Sequence, residues 1–69
     1  MSADEMFEEI GYIEHFKYVD SETYRTDSSH SMGKSIIFQY NNKRILMPQV
    51  IYMQELQAIN KKVEELGWV

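Results

Sequence analysis

The sequence contains no cysteine, one proline and three glycines, and it has no long run of apolar residues. Without cysteine, neither a disulfide nor a thiolate metal site can form, and this absence fits a reducing compartment. No segment approaches the roughly 20 apolar residues of a membrane span. The first residues, MSADEMFEE, are acidic where a secretory signal would be basic. We therefore expect a cytoplasmic protein with no membrane partner.

The length of 69 residues suits one domain, which we expect to cover residues 1–69. Chains below about 70–80 residues often need a disulfide, a metal or a partner chain for stability. Because a disulfide is excluded here, association into a homodimer is one expectation.

The net charge of −4 is unevenly spread along the chain. Residues 1–33 hold eight acidic and two basic side chains, whereas residues 34–69 hold three acidic and five basic ones. An acidic half argues against general binding to nucleic-acid phosphates, so we do not expect nucleic acid as a partner.

Two alternatives stay open. The acidic half could imitate nucleic acid and inhibit a DNA- or RNA-binding enzyme, as anti-restriction and anti-CRISPR proteins do. This requires one continuous stripe of Asp4, Glu5, Glu8, Glu9, Glu14, Asp20, Glu22 and Asp27. The basic second half could instead make the chain a small nucleic-acid-binding regulator.

Two similar hexapeptides, FEEIGY at 7–12 and VEELGW at 63–68, predict two helix ends. A glycine just past a helix adopts the left-handed conformation that other residues resist, and the residue after it packs back onto the helix. The expected contacts are Tyr12 with Phe7 and Trp68 with Val63.

The N-terminal helix is short and begins with a capping box of Ser2 and Glu5. The C-terminal helix is longer and amphipathic, with an uncertain start because Tyr52 is a poor N-cap. Its expected buried stripe is Met53, Leu56, Ile59, Val63 and Leu66. Its expected solvent-facing charges are Glu55, Lys61, Lys62, Glu64 and Glu65.

Between the helices, the period of the apolar pattern changes to two, which is typical of strands. KSIIFQY places Ile36, Phe38 and Tyr40 on one face, and Asn41 and Asn42 predict a hairpin turn to a strand at 43–47. Pro48 should end that strand. Upstream, residues 13–19 predict a strand, and residues 23–26 a short one after a turn at 20–22. Residues 27–33, DSSHSMG, predict a polar loop, and the sequence indicates no role for it.

These elements predict an α+β fold. It has a short N-terminal helix, a three- or four-stranded antiparallel sheet and a C-terminal amphipathic helix. Neither helix can bury its apolar stripe alone, so both should pack on one face of the sheet.

The sequence offers little site chemistry. His15 and His30 lack further ligands at helical spacing, so we expect no metal. The serines around His30 have no base that a third group holds in place. The isolated glycines form no phosphate-binding loop. We expect no catalytic residues and no cofactor, and interpret the chain as a non-enzyme.

Two surfaces are candidates for partner binding. Each helix carries two glutamates in its last turn, where the macrodipole disfavours negative charge by about 0.3–1 kcal/mol per group. They either dock a basic partner or only keep the surface soluble. Aromatic residues, including Tyr52 and Trp68, either form an interface or fill the core. The candidate partner-binding residues are Glu8, Glu9, Glu64, Glu65, Tyr24 and Tyr40.

Residues 53–68, MQELQAINKKVEELGW, resemble the closing helix of small proteins encoded by phages and prophages of low-GC Gram-positive bacteria. MFEEIGY and KSIIFQYNNKRI are similar to that group as well, whereas YRTDSSHSMG is not. The group carries Ser or Thr where this chain has Tyr52. The resemblance brings no catalytic or binding residues to this chain.

What the resemblance implies is a setting, namely the cytoplasm of a bacterial host. Combined with the absence of site chemistry, it favours a small accessory protein that acts without catalysis by binding a host or phage protein.

Overall fold

The computed structural model describes residues 1–26 and 33–68. It contains two helices and one antiparallel sheet whose four strands follow chain order. The elements are α1 (Ala3–Glu9), β1 (Glu14–Lys17), β2 (Ser21–Arg25), β3 (Ser35–Gln39), β4 (Arg44–Leu46) and α2 (Met53–Leu66). The predicted α+β class and order of elements are confirmed.

Both helices cover the same face of the sheet. On that face Tyr24 pairs with Ile36, and Glu22 pairs with Phe38, and all four side chains are buried. The apolar members join residues of both helices in one core, formed by Ala3, Phe7, Tyr12, Tyr24, Ile36, Phe38, Ala58 and Ile59. Neither helix of the described residues is long and apolar enough to cross a membrane.

The start and the end of α1 follow the predicted signals. The Ser2 side chain accepts a hydrogen bond from the Glu5 N–H, and the Glu5 carboxylate accepts one from the Ser2 N–H. At the other end Gly11 has φ +100°, and the Tyr12 N–H donates to the Phe7 carbonyl at 2.9 Å. The Phe7 and Tyr12 rings meet edge to face, with centroids 5.6 Å apart.

The same stop ends α2. Gly67 has φ +71°, and the Trp68 N–H donates to the Val63 carbonyl at 3.1 Å. The Trp68 ring then lies against the core, 6.2 Å from the Phe38 ring. Both predicted helix stops are confirmed.

The buried face of α2 differs from the predicted stripe. Met53 is 66% exposed and Leu56 is 38% exposed, whereas the expected surface residues Glu55 and Lys62 are buried. Both charged side chains have partners inside the fold. Glu55 accepts a hydrogen bond from the Tyr12 hydroxyl, and the Lys62 ammonium pairs with Glu22. The helix therefore turns these polar groups inward and leaves the first two apolar residues of its stripe outside.

Two turns also differ in detail. The turn between β1 and β2 lies at Val19 and Asp20, since Tyr18 bonds to Ser21, so Glu22 belongs to a strand and not to a turn. The predicted β3–β4 hairpin forms. Its residue in the left-handed conformation is Lys43 (φ +52°), however, and not Asn41 or Asn42. Most of the predicted loop at 27–33 lies outside the described residues.

Candidate functional site

The centre of the polar interior is Glu22, which is 1% exposed. Its Oε1 accepts hydrogen bonds from Tyr40 at 2.8 Å and from the Lys62 ammonium at 2.9 Å. Its Oε2 contacts His15 Nε2 and accepts from the Tyr24 hydroxyl at 3.1 Å. Four polar groups from β1, β2, α2 and the end of β3 therefore converge on one buried carboxylate.

The tight β1–β2 turn places these residues together. It sets His15 opposite Tyr24, so that the two rings stack with centroids 4.3 Å apart. Glu22 lies two residues before Tyr24 and therefore on the same face of the sheet. On the helix side of the sheet, α2 places the Lys62 ammonium 5.6 Å from the Tyr24 ring centroid.

This environment keeps Glu22 ionised. Burial alone raises the pKa of a carboxyl group, but hydrogen bonds from Lys62, Tyr40 and His15 lower the pKa of Glu22 to about 2. Burial and the bond to Glu22 raise the pKa of the Tyr40 phenol to about 12. At neutral pH the centre is a carboxylate held by an ammonium and two neutral phenols.

A second carboxylate, Asp4 of α1, extends this centre and shares with Glu22 the one proton that the Tyr24 hydroxyl can donate. Asp4, His15 and Glu22 each offer one ligand atom, and the three atoms lie within 4.8 Å of one another. Helical ligand spacing in the sequence does not indicate this group, because its members lie on α1, β1 and β2. The β1–β2 register pairs His15 with Tyr24 and Lys17 with Glu22, so it places His15 diagonally across from Glu22 on the same sheet face.

Another buried carboxylate, Glu55, joins the end of α1 to the start of α2. It accepts hydrogen bonds from the Tyr12 hydroxyl and from the Tyr52 N–H at 2.7 Å, and Lys34 Nζ lies 3.7 Å away. Burial raises the pKa of Glu55, but the bonds from Tyr12 and Tyr52 and the Lys34 charge lower it overall. The Tyr52 side chain gives no cap hydrogen bond, so Glu55 supplies the hydrogen bond at the start of α2.

The two acidic pairs proposed as a partner surface lie at opposite ends of the helix layer. Glu65 accepts the Ala3 N–H at 2.9 Å, while Tyr12 reaches Glu55, so α1 and α2 run antiparallel. Glu65 thus neutralises the positive end of α1, which explains a carboxylate in the last turn of α2. All four predicted glutamates are exposed, but they form no single surface: Glu8, Glu9, Glu64 and Glu65.

The predicted tyrosine surface is wrong at Tyr24, which is 1% exposed because its ring packs against Phe7 in the core. Tyr40 is half-buried, and its hydroxyl is bonded to Glu22. Of the aromatic candidates, Tyr52 is the exposed one, at 67%.

The carboxylates of the acidic half also lie on different sides of the molecule. Glu22 is buried, and Glu14 pairs with Arg25 at 3.0 Å on the face of the sheet away from the helices. Asp27 lies outside the described residues. The stripe that a nucleic-acid mimic requires is therefore not formed by the described carboxylates.

An exposed apolar surface lies where β4 passes into α2. Among the described residues, eleven large apolar side chains are exposed, and six of them fall within residues 46–56. We call this surface the apolar segment; it consists of Leu46, Met47, Val50, Tyr52, Met53 and Leu56. Its neighbours Lys43 and Arg44 are exposed and basic, whereas the acidic Glu55 is buried.

A cleft of about 540 Å³ opens beside Tyr52. Its walls include Ile10, Ile13 and Lys34, and the Lys34 ammonium lies 4.8 Å from the Tyr52 ring centroid. Tyr52 therefore joins the apolar segment to a concave surface that is lined by apolar side chains and by the Lys34–Glu55 ion pair.

No protein-family model matches this chain, and searches of curated proteins and of solved structures found no significant similarity.

Proposed function

We propose that this chain is a protein-binding module that acts without catalysis, through the apolar segment. The observation that carries this proposal is the exposure of Val50, Tyr52 and Met53, at 70%, 67% and 66%. Two residues of the amphipathic stripe of α2, Met53 and Leu56, belong to this surface. Exposed apolar side chains concentrated in one short segment are typical of a protein interface.

The polar interior supports a binding role over a catalytic one. Among the described residues, every buried side-chain nitrogen or oxygen has a hydrogen-bond partner. The cluster around Glu55 is therefore occupied in holding the two helices together. The apolar segment, in contrast, leaves large apolar side chains exposed.

The charges beside the segment indicate the chemistry of the partner. The charged residues just before it in the sequence, Lys43 and Arg44, are exposed and basic, whereas Lys34 at Tyr52 is paired with Glu55. A protein surface that is apolar at its centre and acidic at its rim complements this arrangement. A second copy would bring basic groups and not acidic ones to this surface, so a different protein is favoured over the homodimer.

The setting that we infer from the resemblance of the helices and the hairpin is a phage or prophage, with the bacterial cytoplasm as the compartment. The partner would then be a host or phage protein. The nucleic-acid mimic and the small nucleic-acid-binding regulator are less favoured. The carboxylates are scattered, and Lys62, one of the basic residues of the second half, is buried against Glu22.

The test is a comparative capture from a lysate of a low-GC Gram-positive bacterium with three forms of the chain as bait. The first is the wild type, and the second carries Val50→Ser and Met53→Ser. The third carries Val19→Ser, which changes a fully exposed apolar residue in the β1–β2 turn and serves as matched control. All three changed residues are exposed, so the fold should be retained.

We expect one acidic protein that is captured by the wild type and by Val19→Ser but lost with the double variant. Each apolar side chain buried in an interface contributes about 1.5–3 kcal/mol, so the double change should weaken binding by about a hundredfold or more. Equal capture by the double variant would contradict the proposal, as would a wild-type dimer in sedimentation that the double change dissociates.

A further inference from the structure

We infer that Asp4, His15 and Glu22 form a binding site for a divalent transition-metal ion of the zinc, cobalt or nickel class. This inference is independent of the proposed function, because the site lies between α1 and the β1–β2 hairpin and includes no residue of the apolar segment.

The donor set selects the class of ion. One imidazole nitrogen and two carboxylate oxygens are ligands of zinc, and imidazole also suits nickel and cobalt. Calcium takes six to eight oxygen ligands, and magnesium prefers oxygen and water, so a histidine-containing trio does not suit either.

The spacing of the ligand atoms fits a small ion. Zinc lies about 2.0–2.2 Å from nitrogen and oxygen ligands, which sets the ligand atoms of a tetrahedral site about 3.4 Å apart. The three ligand atoms lie within 4.8 Å of one another, and His15 Nε2 already contacts Glu22 Oε2. Small side-chain rotations therefore suffice to bring the three atoms around one ion.

A set of neighbouring groups holds the ligands in place. The Tyr24 hydroxyl bonds both Asp4 and Glu22, and its ring stacks on the His15 imidazole. Lys62 and Tyr40 bind the other oxygen of Glu22, so Oε2 remains directed toward His15. Such outer groups fix ligand orientation in protein metal sites.

Charge and access also favour an ion. The site holds two carboxylates, and the Lys62 ammonium binds the Glu22 oxygen away from it. The His15 side chain is 31% exposed and Asp4 is exposed, so an ion can enter from solvent and water can complete its coordination. A site with three protein ligands keeps a position open.

The test is calorimetric titration of the metal-free full chain with zinc chloride, together with the visible absorption of added cobalt. Asp4→Asn and His15→Gln remove one ligand each from residues that lie at the surface, and circular dichroism checks that both variants fold. His30→Gln changes the other histidine of the sequence and is the matched control.

We expect one zinc ion per chain with a micromolar or lower Kd, a tetrahedral cobalt spectrum and a Tm that rises with added zinc. Asp4→Asn and His15→Gln should each weaken zinc binding at least tenfold, whereas His30→Gln should leave it unchanged. Absence of saturable binding up to 1 mM zinc would overturn the inference. Full binding by a folded Asp4→Asn or His15→Gln variant, or loss of binding in His30→Gln, would do the same.

Discussion

At the scale of single residues, two buried carboxylates organise this small protein. Glu22 ties β1, β2 and the end of β3 to α2, and Glu55 ties the end of α1 to the start of α2. Burying an ion is costly unless it is paired and hydrogen-bonded, and both carboxylates meet that condition.

Replacing Glu22 tests its part in the interior. Glu22→Gln removes the charge opposite Lys62, which is 7% exposed, and leaves a buried ammonium without a counter-charge. We expect the free energy of unfolding to fall by about 3 kcal/mol or more in urea titrations. Glu14→Gln is the control, because the pair of Glu14 with Arg25 is partly exposed and should contribute less than about 1 kcal/mol. Equal losses in the two variants would contradict this account.

The pH dependence of stability tests Glu55. Its pKa in the folded state lies below the ordinary value of 4.5, so its contribution to stability is complete above about pH 4.5 and is lost as pH falls through the folded pKa. Glu55→Gln should therefore lower the stability at pH 7, by about 1–3 kcal/mol, and the difference from wild type should shrink below pH 4.5. Urea unfolding from pH 7 to pH 3 measures both quantities. A difference that stays constant with pH would count against this role.

The candidate metal site could not be predicted from local patterns in the sequence. His15 and Glu22 become neighbours only when the turn is placed at Val19 and Asp20. The predicted turn at 20–22 leaves Glu22 outside the strand, so that prediction does not bring Glu22 close to His15. Asp4 joins them through tertiary packing of α1, which no local pattern in the sequence describes.

At the scale of elements, the helix stops were the strongest local signals and were predicted correctly. A glycine followed by an aromatic residue fixes both the backbone conformation and a contact within six residues, so the sequence alone contains the needed information. The buried face of α2 was harder to predict. It depends on Tyr12 and Glu22, which meet Glu55 and Lys62 from other elements.

Substituting the two glycines tests the helix stops. A Cβ at Gly11 or Gly67 would meet no other atom within 4 Å, so the cost of alanine arises from the backbone alone. Gly67 (φ +71°) is close to the left-handed helical region, where alanine costs about 1–2 kcal/mol, whereas Gly11 (φ +100°) lies beyond it. We expect Gly11→Ala to lower the free energy of unfolding more than Gly67→Ala does. The reverse order in urea titrations would contradict the assignment.

At the scale of the whole molecule, charge and apolar surface are divided between regions. The exposed residues of the helices include Asp4, Glu5, Glu8, Glu9, Glu64 and Glu65. The apolar segment and its basic neighbours lie at the junction of β4 and α2. The sequence indicated the charge division between its halves, but the period of α2 predicted Met53 and Leu56 to be buried. Whether Met53 and Leu56 are buried depends on which other elements pack against the first turns of α2, and the sequence of α2 does not contain that information.

The most direct test of the proposed function is an NMR spectrum of the chain with labelled methionine methyl groups, recorded with and without the purified captured protein. Met47 and Met53 belong to the apolar segment, and Met6 packs against the core. We predict that the Met47 and Met53 resonances shift or broaden on binding while that of Met6 stays in place. Shifts of Met1 and Met6 with unchanged Met47 and Met53 would contradict the proposal.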